Sequence, residues 1–139
     1  MSLQYPQPHH GSSAEFQAHG FPYVTGSASG EAGTSLPIKV TFPYVTQFVQ
    51  VSNPDANGLY VGFTANGTKG TGHDPSTGLA TTNRYFVAAT SAGPVIPVKC
   101  KEIYILAAAS TTSFTVIAGL TNVRDFPIIS GTNGFEGVG

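Results

Sequence analysis

Three of the chain's four histidines, His9, His10 and His19, fall in its first twenty residues, where chemistry would first be sought. A His-His pair offers imidazole nitrogens to a transition metal, but a metal site needs three or four ligands, and no carboxylate or further imidazole stands at usable spacing. The fourth, His73, precedes Asp74 and could form half of a hydrolase triad. No G-x-S-x-G elbow supplies the exposed nucleophile that such a triad needs. Asp55 and Asn57 resemble the opening of a calcium loop, yet the chelating Glu and the flanking helices are missing, so both read as Asx turn-formers. Cys100 is the sole cysteine, which rules out an internal disulfide or a cysteine-based zinc site; it reads as a small buried hydrophobe. Glu102, beside Lys101 and Lys99, reads as half of a solvated or intersubunit ion pair worth little. No glycine-rich loop opens a helix to cradle phosphate. The expectation is therefore no catalytic residue, no metal and no cofactor.

Composition points away from charge-driven partners. Charged residues make up only 9% of the 139 positions, against roughly 25% in ordinary soluble proteins. The net charge is −1, and the six basic residues form no cluster, so neither nucleic acid nor an anionic membrane surface is an expected partner. A surface covered by Thr, Ser, Asn, Gly and Ala desolvates at less cost than an ionic one, which suits a protein packed against others. No apolar run reaches the roughly 18 residues of a membrane span. The first residues lack the basic and apolar regions of a secretory signal.

The elements that must position any site are strands. The segment Leu36 to Thr64 reads as a long strand, a tight corner at Asn53 to Gly58 and a returning strand. Leu59, Val61 and Phe63 alternate with Tyr60 and Gly62, as a strand with one apolar face requires. Asn66-Gly67 predicts a type I′ turn, a stronger reading than the glycosylation acceptor formed with Thr68. From Val95 to Ala107 the inward parity changes near Lys101 or Glu102, which predicts a bulge or a shift between sheets. Phe114, Val116 and Ala118 line one face of a further strand. About eight short strands and no sustained helical period predict an all-β fold, an antiparallel sandwich for which a single jelly roll is favoured.

The chain divides into an extended arm over 1–35, a sandwich over 36–120 and a tail over 121–139. Phe21-Pro22-Tyr23-Val24-Thr25 recurs as Phe42-Pro43-Tyr44-Val45-Thr46, each copy reading as an edge-type β segment because proline removes a ladder donor. Isolated aromatics in the arm and tail, Tyr5, Phe16, Phe21, Tyr23, Phe126 and Phe135, are the expected interface anchors; the competing reading is that they cover the chain's own core. The stretch 69–83, with Lys69, His73 and Asp74, is the expected exposed loop.

The strings HGFPYVTGS, IKVTFPYVTQFVQVSN, LYVGFTANG, CKEIYILA, SFTVIAGLTNVRDFP and ISGTNGFEGVG give the chain a resemblance to small single jelly-roll virion proteins of double-stranded DNA viruses. These decorate or cement tailed-phage heads, or occupy capsid vertices. The resemblance implies a structural, non-enzymatic protein on the capsid surface of a virion. Its partners would be other copies of itself, a homotrimer being favoured and a vertex pentamer the alternative, and the major capsid protein. A reading of another class is a receptor- or carbohydrate-binding sandwich, using loop 69–83 with Tyr60 and Tyr85 as stacking platforms. A cupin-type enzyme would need histidines on core strands, and all four here lie in arm or loop.

Overall fold

The computed structural model describes residues 20–27, 30–73 and 80–127. In chain order the elements are β1 (Phe21–Gly26), β2 (Ile38–Thr41), β3 (Thr46–Asn53), β4 (Leu59–Gly62), α1 (Ala65–Lys69), β5 (Gly72–His73), β6 (Ala80–Thr81), β7 (Arg84–Val87), β8 (Ser91–Ala92), β9 (Glu102–Ala107) and β10 (Thr115–Leu120). Two four-stranded antiparallel sheets, ordered β1-β10-β3-β8 and β2-β9-β4-β7, form a sandwich, and β5 pairs with β6 apart from them. The expected all-β sandwich of eight antiparallel strands is the fold adopted. Among its strands the first pairs with the last, the second with the seventh, the third with the sixth and the fourth with the fifth.

Alternation in the sequence builds the core. Val49 and Val51 of β3 and Val116, Ala118 and Leu120 of β10 point inward from one sheet. Leu59 and Val61 of β4 and Ile103 and Ile105 of β9 answer from the other, with Phe42 and Phe114 buried near the ends. Burying each such side chain contributes about 1.5–3 kcal/mol, so this interlayer holds the sheets together without a disulfide.

Four expectations are corrected. The long strand through Leu36 to Ser52 is two strands in different sheets, because the chain turns at Phe42 to Val45. Pro43 cannot donate to a ladder, Phe42 is fully buried, and the neighbouring N–H groups are taken elsewhere: Phe42 donates to Lys101 O and Val45 to Val123 O, both at 2.8 Å. β4 likewise returns in the facing sheet rather than beside β3.

The sandwich also begins earlier than residue 36. β1 pairs with β10 along its whole length, and Ala32, fully buried, bridges Thr112. At the other end Thr121 and Val123 are buried, so the sandwich runs past residue 120.

Asn66-Gly67 lies in α1 and not in a hairpin turn. Thr64 caps the helix, its hydroxyl oxygen accepting from Gly67 N–H at 3.0 Å, while the Thr68 hydroxyl donates to Thr64 O at 2.7 Å. Gly70 closes the other end at φ +88°, a left-handed position that favours glycine, and the Arg84 guanidinium donates to Thr68 O at 2.8 Å. Stretch 69–83 accordingly contains the end of α1, β5 and β6.

Finally, the partner of Glu102 is Lys39 across the strand pair, at 2.7 Å, and not Lys99 or Lys101. The Tyr104 hydroxyl also donates to Glu102, and the Lys101 ammonium instead donates to Arg124 O at 3.0 Å. The predicted change of inward parity does occur here: Cys100 and Ile103 are both buried, with Lys101 and Glu102 between them half-buried. Over that step the chain leaves Thr46, whose N–H donates to Cys100 O, and joins the sheet of β2.

Candidate functional site: an uncharged sheet face

The two outer faces of the sandwich differ in chemistry. Registers place Pro22, Gly119 and Phe48 in one row of the first sheet, Val24, Ile117 and Gln50 in the next, and Gly26, Thr115, Ser52 and Ala92 in the third. None of these side chains is ionisable. Val24 is 65% exposed and Ile117 41%. They stand directly opposite each other across β1 and β10. Ser27 N–H donates to Phe114 O, so the odd-numbered residues of β1 make the ladder bonds, and Val24–Ile117 is a non-hydrogen-bonded pair, in which side chains approach more closely. The Phe48 ring lies over Gly119, where a Cβ would come within 2.4 Å of it. An open depression beside this face is lined by Ser52, Asn53, Pro54, Thr90, Ser91, Ala92 and Thr115.

The outer face of the second sheet carries charge and is partly covered. It holds the Lys39–Glu102 pair, and the Arg84 guanidinium lies 3.6 Å from the centroid of the Tyr60 ring. Helix α1 packs on β4 there, close enough that a Cβ on Gly62 would meet the Thr68 hydroxyl at 2.2 Å. Tyr60 also packs on exposed Phe86 with ring centroids 5.6 Å apart. Its ring is therefore engaged by Arg84 and Phe86. Burial pushes the Tyr85 hydroxyl up to about 12, with a smaller contribution from Cys100. Neither tyrosine is a free stacking platform.

Two of the expected arm anchors belong to the sandwich. Tyr23 packs on the core and meets Phe42 edge-on, with centroids 5.2 Å apart, and Phe21 packs on Tyr44 at the same separation. The repeated pentapeptides thus clasp each other in opposite directions, first residue to third and third to first. Phe21 keeps 49% of its surface exposed, whereas Phe126 is half-buried after Val123. Tyr5, Phe16 and Phe135 lie outside the described residues, as does Asp74. Lys69 is exposed in the last turn of α1, and His73 is the second residue of β5.

Among the described residues, no three of His, Cys, Asp and Glu are grouped to hold a metal ion. Burial pushes the Cys100 thiol up to about 11, far from a reactive thiolate, and it lies 3.3 Å from the Thr46 hydroxyl. Asp55 ties loops together: one carboxylate oxygen accepts from Ala56 N–H at 2.8 Å, the other from Ser113 N–H at 3.2 Å, and its carbonyl accepts from Thr90 N–H. Those donors, Ala56 first, hold the carboxyl below its ordinary range. Its role is that of a brace; the Asx turn of this corner belongs to Asn53, whose Oδ1 accepts from Asp55 N–H at 3.0 Å, and not to Asp55 or Asn57.

Sequence reasoning missed the uncharged face because its members come from four strands whose order the sequence does not state. The available signal was the opposite parity of β10, where Thr115 and Ile117 alternate with buried residues. Comparison of the chain with protein-family models, curated proteins and solved structures gives no match.

Proposed function

We propose that this chain is a structural assembly protein that works by packing its uncharged sheet face and open edge against other subunits, with no chemistry of its own. The carrying observation is the outer face of β1-β10-β3, where exposed Val24 and Ile117 sit side by side among neutral neighbours. Exposed apolar area rimmed by polar groups marks interaction surfaces, and neutral groups desolvate cheaply on contact. We read the nested strand pairing as a single jelly roll, an architecture that capsid and lectin domains share. With the resemblance to virion proteins, this favours a capsid decoration or cement protein that contacts the major capsid protein and copies of itself. Engagement of Tyr60 and Tyr85 within the chain weighs against the carbohydrate-binding alternative.

The test is the native mass of the purified full chain, followed by its binding to capsid shells stripped of minor proteins. A stable trimer that binds shells supports decoration, and a pentamer that fills vertices supports the penton alternative. A protein that binds no shell, and whose Ile117→Asp variant associates as the parent does, removes the proposal.

A further inference from the structure

We infer that the outer edge of β1 is a self-pairing edge, on which β1 of a second copy adds antiparallel about a two-fold axis at Val24. β1 is the first strand of its sheet and pairs only with β10, so among the described residues its other side is open. Because Ser27 N–H is spent on Phe114 O, alternation leaves the even-numbered residues, Pro22, Val24 and Gly26, with backbone groups directed away from β10. All three are exposed. The outward edge thus presents carbonyls from Pro22, Val24 and Gly26, and N–H groups from Val24 and Gly26.

That pattern complements itself. Centred on Val24, an antiparallel partner exchanges both Val24 N–H to Val24 carbonyl bonds, and each Gly26 N–H faces the Pro22 carbonyl of the other copy. The missing proline donor then weakens only the two ends. Edges that avoid association carry lysines, inward charges, bulges or proline. Of these β1, Phe-Pro-Tyr-Val-Thr-Gly, has only Pro22, which lies off the centre of the pairing, and its register with β10 is unbroken. A second copy is the occupant that the charge pattern fits: a neutral strand meets its own image without like charges opposed, as directly opposed charges would be. The added strand also makes the uncharged faces of two copies continuous, with the two Val24 side chains adjacent. The pairing is isologous, so it closes as a dimer. It does not depend on a place in a virion.

The test uses the full chain. Sedimentation of the parent over a wide concentration range should show two-fold association, a dimer of chains or a dimer of the trimers that decoration requires, and Val24→Lys, at an exposed site, should raise the dissociation constant of that step about tenfold or more by opposing two charges. Val24→Cys should form an intermolecular disulfide under mild oxidation, since hydrogen-bonded antiparallel partners have Cα atoms about 5.5 Å apart, within disulfide reach. Thr115→Cys, exposed on β10 and away from the edge, should cross-link far more slowly. A parent that stays monomeric, an oligomer indifferent to Val24→Lys, or equal cross-linking at the two sites overturns the inference. If Val24→Lys failed to fold, the cysteine pair alone would decide.

Discussion

The Phe21 ring rests on Tyr44 with centroids 5.2 Å apart and planes inclined at 31°, and Tyr23 meets Phe42 in the reciprocal position at 79°. An identical pentapeptide used twice thus closes one end of the sandwich on itself. Arg124 lies over the same Tyr44 ring, 5.4 Å from its centroid, and donates to its hydroxyl. Phe42 is fully buried, and Phe42→Ala should cost about 3–5 kcal/mol of unfolding free energy in a urea titration. A double-mutant cycle between Tyr23 and Phe42 should return a coupling of about 0.5–1.5 kcal/mol; a value of zero would mean that the edge-on contact contributes nothing beyond burial.

Asp55 sets an acid limit. Its carboxyl is held below the ordinary 3.8 by the Ala56 and Ser113 N–H groups, so the unfolded chain binds this proton more readily than the folded one. The resulting stability is present above pH 3.8 and is lost as pH falls through the lower folded value. Thermal melts from pH 6 to pH 2 should show the parent losing more stability than Asp55→Asn as the pH falls below about 4, because the amide has no proton to take up. Parallel curves would show that this carboxylate is not linked to folding.

Cys100 sets the corresponding alkaline limit. Its thiol is pushed up from 9.0 to about 11, chiefly by burial, so the neutral form is favoured in the folded chain. That stability is complete below pH 9 and is lost as pH rises through about 11. At neutral pH a thiol reagent should label Cys100 only at the rate of opening, and labelling should become immediate in denaturant. Rapid labelling of the folded protein would contradict the burial.

Thr46 holds the crossing between sheets. Its hydroxyl donates to Val98 O at 2.8 Å and accepts from Cys100 N–H at 3.1 Å. Thr46→Val keeps the shape and strands both groups in a buried place, at a cost of about 1–3 kcal/mol. Thr46→Ser should recover most of that loss. If both substitutions cost the same, the methyl group and not the hydroxyl is what matters.

Gly62 sets the fit of α1 on the second sheet. An added Cβ would meet the Thr68 hydroxyl at 2.2 Å and Asn83 O at 3.0 Å, so Gly62→Ala must push the helix outward. Overpacking of this kind costs about 1–3 kcal/mol, and faster amide exchange in Thr68 and Lys69 would locate the loss at the helix. Unchanged exchange would place the strain elsewhere.

Much of the sandwich was legible because period-2 burial depends only on neighbours in sequence: Leu59 and Val61, or Val116 and Ala118, announce their faces locally. The parity change after Cys100 was legible for the same reason. What escaped was decided by distant partners. β1 reads as part of a glycine-rich arm because its stabilising surface, β10 and the aromatic pair Phe42 and Tyr44, lies far along the chain. Asn66-Gly67 reads as a hairpin turn until the Thr64 cap and the Arg84 contact with Thr68 are seen together. The uncharged face required the order of four strands, which no local pattern states.

The nested pairing also constrains when the chain can fold as it is made. β10 sits between β1 and β3, so neither early strand has its central neighbour until Thr115 to Leu120 has been synthesised. β2 and β4 likewise wait for β9. A ribosome must therefore deliver β9 before the second sheet can close and β10 before the first, and until then β3 has only the short β8 beside it. Chains that terminate early would be left with open sheets, which sets a quality check on synthesis: only molecules carried through Leu120 can close their sheets.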